Sequence, residues 1–338
     1  MNALRIGIDA RKIADFGIGT YIRNLLRELV ALGDEYVAFA PAAAALPAGV
    51  EHVVVDAPHY SVRELVAVGR AADRARLDLF HAPHYVVPLM RVPLVVTVHD
   101  LIHLRHPNPL ARLYARTMIG RAVRKARRVL TVSETVRREI EATFGARNVV
   151  VAANGCDHVL RSSMVVGRSS SSTNDQRPTT YFLFVGNDKP HKNVDALVDA
   201  AQRIGSELVL VGASFERFRG RATLAGFVSD DELASLYRGA IALVMPSREE
   251  GFGLPALEAM RCGTAVITSN APALMEVTGD AALHVAANAD ALADAMSRVA
   301  RDASLRASLI ARGAARASEF TWSRCATITR RAYFELPF

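Results

Sequence analysis

Residues 240–269 read AIALVMPSREEGFGLPALEAMRCGTAVITS. The run AIALVM is apolar at every position, the pattern of a strand buried on both faces rather than one. A polar, glycine-bearing turn follows, and Pro255 then stands where the first turn of a helix tolerates proline. The spacing predicts a helix over 254–262, and TAVITS is a second buried strand. Strand, short turn, helix and strand in this order form a parallel crossover unit. The same alternation continues outward. Before it come YFLFVG, a helix from about Val194, ELVLVG, TLAGFV and a helix at 230–238; beyond it the last forty residues read as helices. The pair Asp230 and Asp231 reads as a helix N-terminus rather than a metal-binding acidic pair.

The first half repeats the architecture with LRIGID, a helix over 20–32, YVAFA, HVVVD, LDLFHA, PLVVTVHD and RVLTVS, and helical stretches near 61–75, 109–126 and 134–144. Between the halves, residues 161–180 (RSSMVVGRSSSSTNDQRPTT) have little to bury and read as a linker. The expected fold is therefore α/β, with two doubly wound Rossmann-like domains facing a cleft. The expected division is 1–160, a serine-rich linker at 161–179, 180–320, and a C-terminal helix at 321–338 packing back on the N-terminal domain.

The 338 residues carry 41 Lys and Arg against 34 Asp and Glu, a net charge of +7. No uninterrupted apolar run reaches the length of a membrane span, and the opening MNALRIGIDARK reads as a strand rather than a signal peptide. Cys156, Cys262 and Cys325 are odd in number, with no CxxC, which fits a reduced, cytoplasmic compartment without disulfides or zinc. The excess charge concentrates at 105–128, in a basic, partly apolar helix. It suits an anionic membrane surface or a phosphate-bearing acceptor, or else is a solvated face on an arginine-rich protein. Base-stacking aromatic motifs are absent, which argues against nucleic acid.

Open α/β sheets bind ligands beyond the carboxyl ends of their strands, so the candidate sites lie there. Residues 17–20 (GIGT) offer Gly17 and Gly19 for close approach of a phosphate to backbone N–H groups. GxGxxG is not completed, and the alternative is an ordinary loop with Thr20 as helix cap. His99 ends PLVVTVHD and is either a proton carrier and hydroxyl ligand or a structural histidine. With His103 and His106 it invites a metal reading, which the strand end and Pro107 disfavour. Residues 186–193 (GNDKPHKN) follow a strand and place lysines against a nucleotide diphosphate, or form a solvated loop. Residues 246–260 (PSREEGFGLPALEAM) are the most specific. The N–H groups of Phe252, Gly253 and Leu254 suit sugar hydroxyls or phosphate. Glu250 lies before the helix and Glu258 one turn inside it, so that one carboxylate reaches a sugar and the other a ribose.

The stretch PSREEGFGLPALEAMRCGTAVITS resembles the E-x7-E region of the retaining glycosyltransferases of family 4, which have the GT-B fold. The likeness extends to GIDARKIADFGIGTYIRNLL, VTVHDLIHLRHP, VLTVSETVRREI, NGCD, VGNDKPHKN, GFVSDDELASLYRGA and FTWSRCA, nearly the whole chain outside the serine-rich run. It implies an acceptor-side domain at 1–160 and a nucleotide-sugar-binding domain at 180–320. Glu250 would then contact the donor sugar, Glu258 the ribose and Lys192 the diphosphate. The loop of Gly17 and Gly19 would approach the diphosphate, and His99 would lie beside the transferred sugar. Asn187 stands where many members carry an arginine, with Lys189 or His191 to take its part.

The resemblance further implies transfer of a hexose, mannose before others, from a nucleoside-diphosphate sugar such as GDP-mannose to a glycan or lipid-linked hydroxyl, with retention, no metal and no other cofactor. The setting is polysaccharide biosynthesis, in the cytoplasm or peripheral on the inner face of the membrane. The alternatives are a GT-B epimerase or phosphorylase, and a silent nucleotide-sugar-binding protein motivated by Asn187.

Overall fold

The apolar runs form strands that pair in parallel throughout, in two separate sheets. The computed structural model describes residues 3–15, 17–56, 62–160 and 180–335; the expected linker, 161–179, lies outside them. The chain divides into two units, one of Met1–Gly155 with Trp322–Phe338 and one of Cys156–Thr321.

In the first unit the strands are β1 (Arg5–Asp9), β2 (Glu35–Ala40), β3 (Val50–Val54), β4 (Leu79–Ala82), β5 (Leu94–Val98), β6 (Arg128–Thr131) and β7 (Val149–Val151), in the order β3-β2-β1-β4-β5-β6-β7. Helices α1 (Ile18–Val30), α2 (Val62–Arg74), α3 (Pro109–Lys125) and α4 (Glu134–Phe144) complete the crossovers. Alternation along β1 divides the core. Ile6 and Ile8 face Tyr21, Leu25 and Leu26 of α1. Gly7 points the other way, where a Cβ would meet Leu77 at 2.5 Å and Phe80 at 2.9 Å. The first helix begins at Ile18 with Gly17 as N-cap, so Thr20 sits inside the helix and does not cap it.

The second unit holds β8 (Tyr181–Asn187), β9 (Glu207–Ala213), β10 (Thr223–Gly226), β11 (Ala240–Met245), β12 (Ala265–Ser269) and β13 (Leu283–Val285), in the order β10-β9-β8-β11-β12-β13. Its helices are α5 (Val194–Arg203), α6 (Asp230–Gly239), α7 (Leu254–Arg261), α8 (Pro272–Thr278), α9 (Ala289–Arg301) and α10 (Ala303–Ser318). Phe182, Phe184, Val244 and Ile267 turn one sheet face to Leu197 of α5 and to Leu292 and Met296 of α9, while α6 and α7 pack on the other. A capping box between Ser229 and Glu232 starts α6, which places Asp230 and Asp231 in its first turn.

The last helix, α11 (Trp322–Phe334), belongs to the first unit. Trp322 is wholly buried against the α1 face, and Arg330 Nε donates to Asp34 Oδ2 at 2.5 Å. Tyr333 Oη lies 2.7 Å from His81 Nδ1, and His81 Nε2 lies 2.8 Å from Thr97 Oγ1. Burial first, and then the nearby His99 and His84, depress the His81 pKa to about 3.

Above pH ~6.5 this imidazole is neutral folded and unfolded alike. As pH falls from there towards about 3, the unfolded chain takes up a proton that the folded chain refuses, so stability drops through that window. His81→Gln should therefore flatten the loss of stability between about pH 7 and pH 5, read from urea midpoints of the first unit. An unaltered slope would count against it.

Candidate functional site

In the second unit the connections diverge between β8 and β11, the place where open α/β sheets form a ligand crevice. Two loops border it. After β8 a 3-10 turn, Pro190–Lys192, leads to Asn193 in the left-handed conformation at φ 56°. Asparagine tolerates that region better than other residues with a Cβ. Its buried amide donates to Pro246 O and to Ala287 O, each at 3.1 Å, and Arg248 N donates to His191 O at 2.8 Å. Asn193 thus ties the β8 loop to the β11 loop, a role the sequence did not suggest.

Across this junction Lys192 Nζ donates to Glu250 Oε1 at 2.6 Å, with 19% and 8% of the two side chains exposed. Gly253 follows as N-cap of α7 at φ 92°, where a Cβ would also stand 2.4 Å from Leu274 Cδ2. Phe252 is buried edge-on against Phe320, 5.9 Å between ring centroids. Phe252, Gly253 and Leu254 therefore lie at the N-terminus of α7, where helix geometry leaves N–H groups without intrahelical partners. Asn187 ends β8, and its neighbour Asp188 is engaged by Arg217, whose Nη2 is 2.7 Å from Asp188 Oδ1.

Glu258 is placed differently. It is 5% exposed, accepts from Tyr237 Oη of α6 at 2.7 Å, and lies 3.1 Å from His158 Nε2 through its other oxygen. Burial, and then the carboxylate, push the Tyr237 pKa well above its ordinary value, so the phenol stays a donor. The two motif carboxylates thus occupy separate settings: Glu250 pairs with an ammonium at the loop, and Glu258 is held inside by a phenol and an imidazole.

In the first unit Gly17 (φ 76°) caps α1, and a Cβ on Gly19 would lie 2.5 Å from Ile13 O, which accepts from Arg23 Nη1 at 2.6 Å. His99, just beyond β5, donates from Nε2 to Pro83 O at 3.0 Å and packs edge-on to Tyr21. Burial lowers its pKa. His103 packs edge-on against Tyr85, and His106 Nδ1 accepts from Asn108 N. Among the described residues no group of three or more His, Cys, Asp or Glu is arranged to hold a metal ion.

Sequence reasoning missed a buried charge network at the end of β1. Arg11 grips Asp9 through Nε at 2.8 Å and Nη2 at 2.6 Å, and Nη2 also lies 2.8 Å from Glu64 Oε1; His84 Nε2 is 3.2 Å from Asp9 Oδ2. Burial alone would raise the Asp9 carboxyl; His84 and Arg11 outweigh it and hold the group well below the usual range. An aspartate directly after the apolar run Ile6–Ile8 of β1 was the available signal, since a buried charge requires partners.

Two family models match the chain: Glycosyltransferase Family 4 over residues 17–160, and Glycosyl transferases group 1 over residues 168–316. The chain is 32% identical over 286 residues to O-antigen chain mannosyltransferase B of Escherichia coli, which covers 75% of this chain and 74% of the relative. It is 31% identical to O-antigen chain mannosyltransferase RfbU of Salmonella typhimurium over 60% of this chain and 59% of the relative. Among solved structures, a sucrose-phosphate synthase from Thermosynechococcus elongatus superposes with a TM-score of 0.81 at 20% identity, over 98% of this chain and 99% of the other. The architecture is GT-B.

Tyr237→Phe removes a donor from a buried carboxylate and should cost about 1–3 kcal/mol. Chemical denaturation of the second unit tests this, and a midpoint equal to wild type would show that the contact contributes nothing.

Proposed function

We propose, for a chain that belongs to glycosyltransferase family 4 and is a hexosyltransferase, that the group transferred is mannose, taken from GDP-mannose and delivered with retention to a hydroxyl of a glycan or lipid-linked acceptor. The observation that carries this reading is the Lys192–Glu250 pair at the β8/β11 crevice, beside the glycine turn and the N-terminus of α7. The named activity of the two mannosyltransferase relatives supports the choice of sugar.

In this reading the donor diphosphate draws Lys192 towards its oxygens, and the N–H groups of Phe252, Gly253 and Leu254 add a second source of positive potential. Glu250, released in part from its ammonium, accepts a sugar hydroxyl. The bond from the anomeric carbon to the diphosphate breaks, and the electron pair leaves on a phosphate oxygen that Lys192 stabilises. The acceptor oxygen bonds the same face of the sugar, and its proton passes to the departing diphosphate. Glu258 holds the ribose. No metal is required.

The acceptor side extends to a surface. On α3, Leu110, Leu113 and Tyr114 are 76%, 62% and 45% exposed, and Arg112 and Arg116 lie exposed among them. Arg105, Arg121 and Lys125 of the same basic segment are instead turned to protein partners: Glu139, Val87 O and Met90 O. The exposed face has the composition of an interfacial helix on an anionic membrane. No helix among the described residues is long and apolar enough to cross one.

Glu250→Ala and Lys192→Ala should each lower transfer by roughly 10²–10³-fold with melting behaviour retained. Near-normal turnover in both removes the site assignment. In a thermal-shift panel of nucleotide sugars, GDP-mannose should stabilise the protein most, by mass action; a larger shift with a different sugar nucleotide displaces mannose. Co-sedimentation with phosphatidylcholine vesicles should require added phosphatidylglycerol and be lost in Leu113→Glu. Equal binding to both vesicle types would argue against the surface.

A further inference from the structure

The loop after β8 is held from both sides of its strand. From the β11 side, Asn193 bonds Pro246 O and Ala287 O, and Arg248 N bonds His191 O. From the β9 side comes Arg217, in a 3-10 turn, Glu216–Phe218, that follows that strand. Its guanidinium forks twice. Nε and Nη2 donate to Asp188, with Nη2 2.7 Å from Oδ1; Nη1 and Nη2 donate to Asp195, 2.5 Å from Oδ1 and 2.7 Å from Oδ2. Asp188 directly follows β8, and Asp195 lies in the first turn of α5. The two carboxylates therefore bracket residues 189–194, the loop that carries Lys192. Arg217 is itself backed by the core, its guanidinium carbon 4.1 Å from the ring centroid of buried Phe218.

An isolated exposed ion pair contributes little, but a fork shared between two carboxylates has the geometry that does contribute. Removing the guanidinium would do more than subtract its bonds. Nη2 stands 2.7 Å from an oxygen of each carboxylate, so those two oxygens are at most twice that distance apart. With no cation between them, like charges at that range repel and drive the ends of the loop apart. Lys192 lies between those ends, three residues before Asp195 and four after Asp188. The same two aspartates, left unneutralised, would also oppose the approach of an anion to the loop.

We propose that Arg217 is a positioning residue for the diphosphate: it clasps both ends of the loop and so holds Lys192 where the sugar-bearing phosphate arrives. The proposal rests on the nucleotide-sugar reading above.

Calorimetry tests it with the parent diphosphate of the most stabilising sugar nucleotide, GDP by expectation, and with the monophosphate, GMP. The proteins are wild type, Arg217→Ala, Arg217→Lys, Lys192→Ala and the double variant Arg217→Ala/Lys192→Ala. GDP should bind about tenfold more weakly to Arg217→Ala than to wild type. In the Lys192→Ala background the same change should cause no further loss, because Arg217 acts through Lys192. GMP lacks the phosphate that carries the sugar, and its affinity should stay constant throughout. Arg217→Lys keeps the charge without the fork; it should fall between wild type and Arg217→Ala, and it carries the test should the alanine variant not fold. Melting temperatures should hold, since Arg217 and Asp195 are 50% and 60% exposed. Unchanged GDP affinity, a loss shared by GMP, or an equal loss with and without Lys192 overturns the proposal. A wild type that binds no nucleoside diphosphate, or a Lys192→Ala that binds GDP as wild type does, fails the donor reading, and this inference with it.

Discussion

A parallel sheet covered by helices on both faces gives a functional charge one accessible place to stand, the carboxyl edge of its strands, and each unit of this chain is organised by that constraint. Within the strands, side chains meet apolar neighbours above and below, so an unpaired ion there would carry the full cost of desolvation. A polar group that does lie inside can be matched on both sides, as His81 is by Tyr333 and Thr97. At the edges the backbone leaves the sheet, loops supply N–H groups, and charges need only partial burial. Asp9, His99, Asn187 and Glu250 all stand at or just beyond strand ends for this reason.

The two ionic clusters that result are built to opposite ends. The Asp9, Arg11, Glu64 and His84 side chains are almost completely enclosed, and removing one partner from such a network typically costs about 3–5 kcal/mol. That arrangement does not exchange partners readily; it fixes the end of β1 and the start of the loop that carries Gly17 and Gly19. Among the described residues the Lys192–Glu250 pair is a single contact between a flexible ammonium and one carboxylate oxygen, and the lysine remains partly open to solvent. An incoming anion can share Lys192 without stranding Glu250 in an apolar interior. The difference in closure separates the two clusters more clearly than residue type does.

Strand and helix positions were legible because they rest on local periodicity, which survives without knowledge of the partner. AIALVM and TAVITS announce buried strands wherever they are placed, whereas β7 and β13, three residues each, are too short to carry a period and escaped notice. The helix cap was misplaced because Thr20 has the chemistry of a cap, but Gly17 has the backbone that the turn requires. Lys192 and Glu250 were both singled out as ligands; their pairing was not, since 58 residues separate them and nothing local encodes the contact. Asn193 and Tyr237 were invisible for the same reason. Both act on elements distant in sequence, and neither sits in a motif that displays the need.

The E-x7-E spacing conceals the largest of these non-local effects. Because Gly253 turns the chain before α7 begins, the two glutamates do not share a helix face, and their surroundings diverge. Glu258 is met by two donors from other elements, Tyr237 Oη and His158 Nε2, one on each oxygen. A carboxylate has about four acceptor positions, of which these two partners take one on each oxygen. Burial and the carboxylate itself raise the pKa of Tyr237, which keeps its phenol a donor to Glu258. A carboxylate already oriented by fixed donors loses little conformational freedom when a ligand arrives. On the donor reading, Glu258 contributes through preorganisation and Glu250 through exchange, a division that follows from their partners and not from their shared motif.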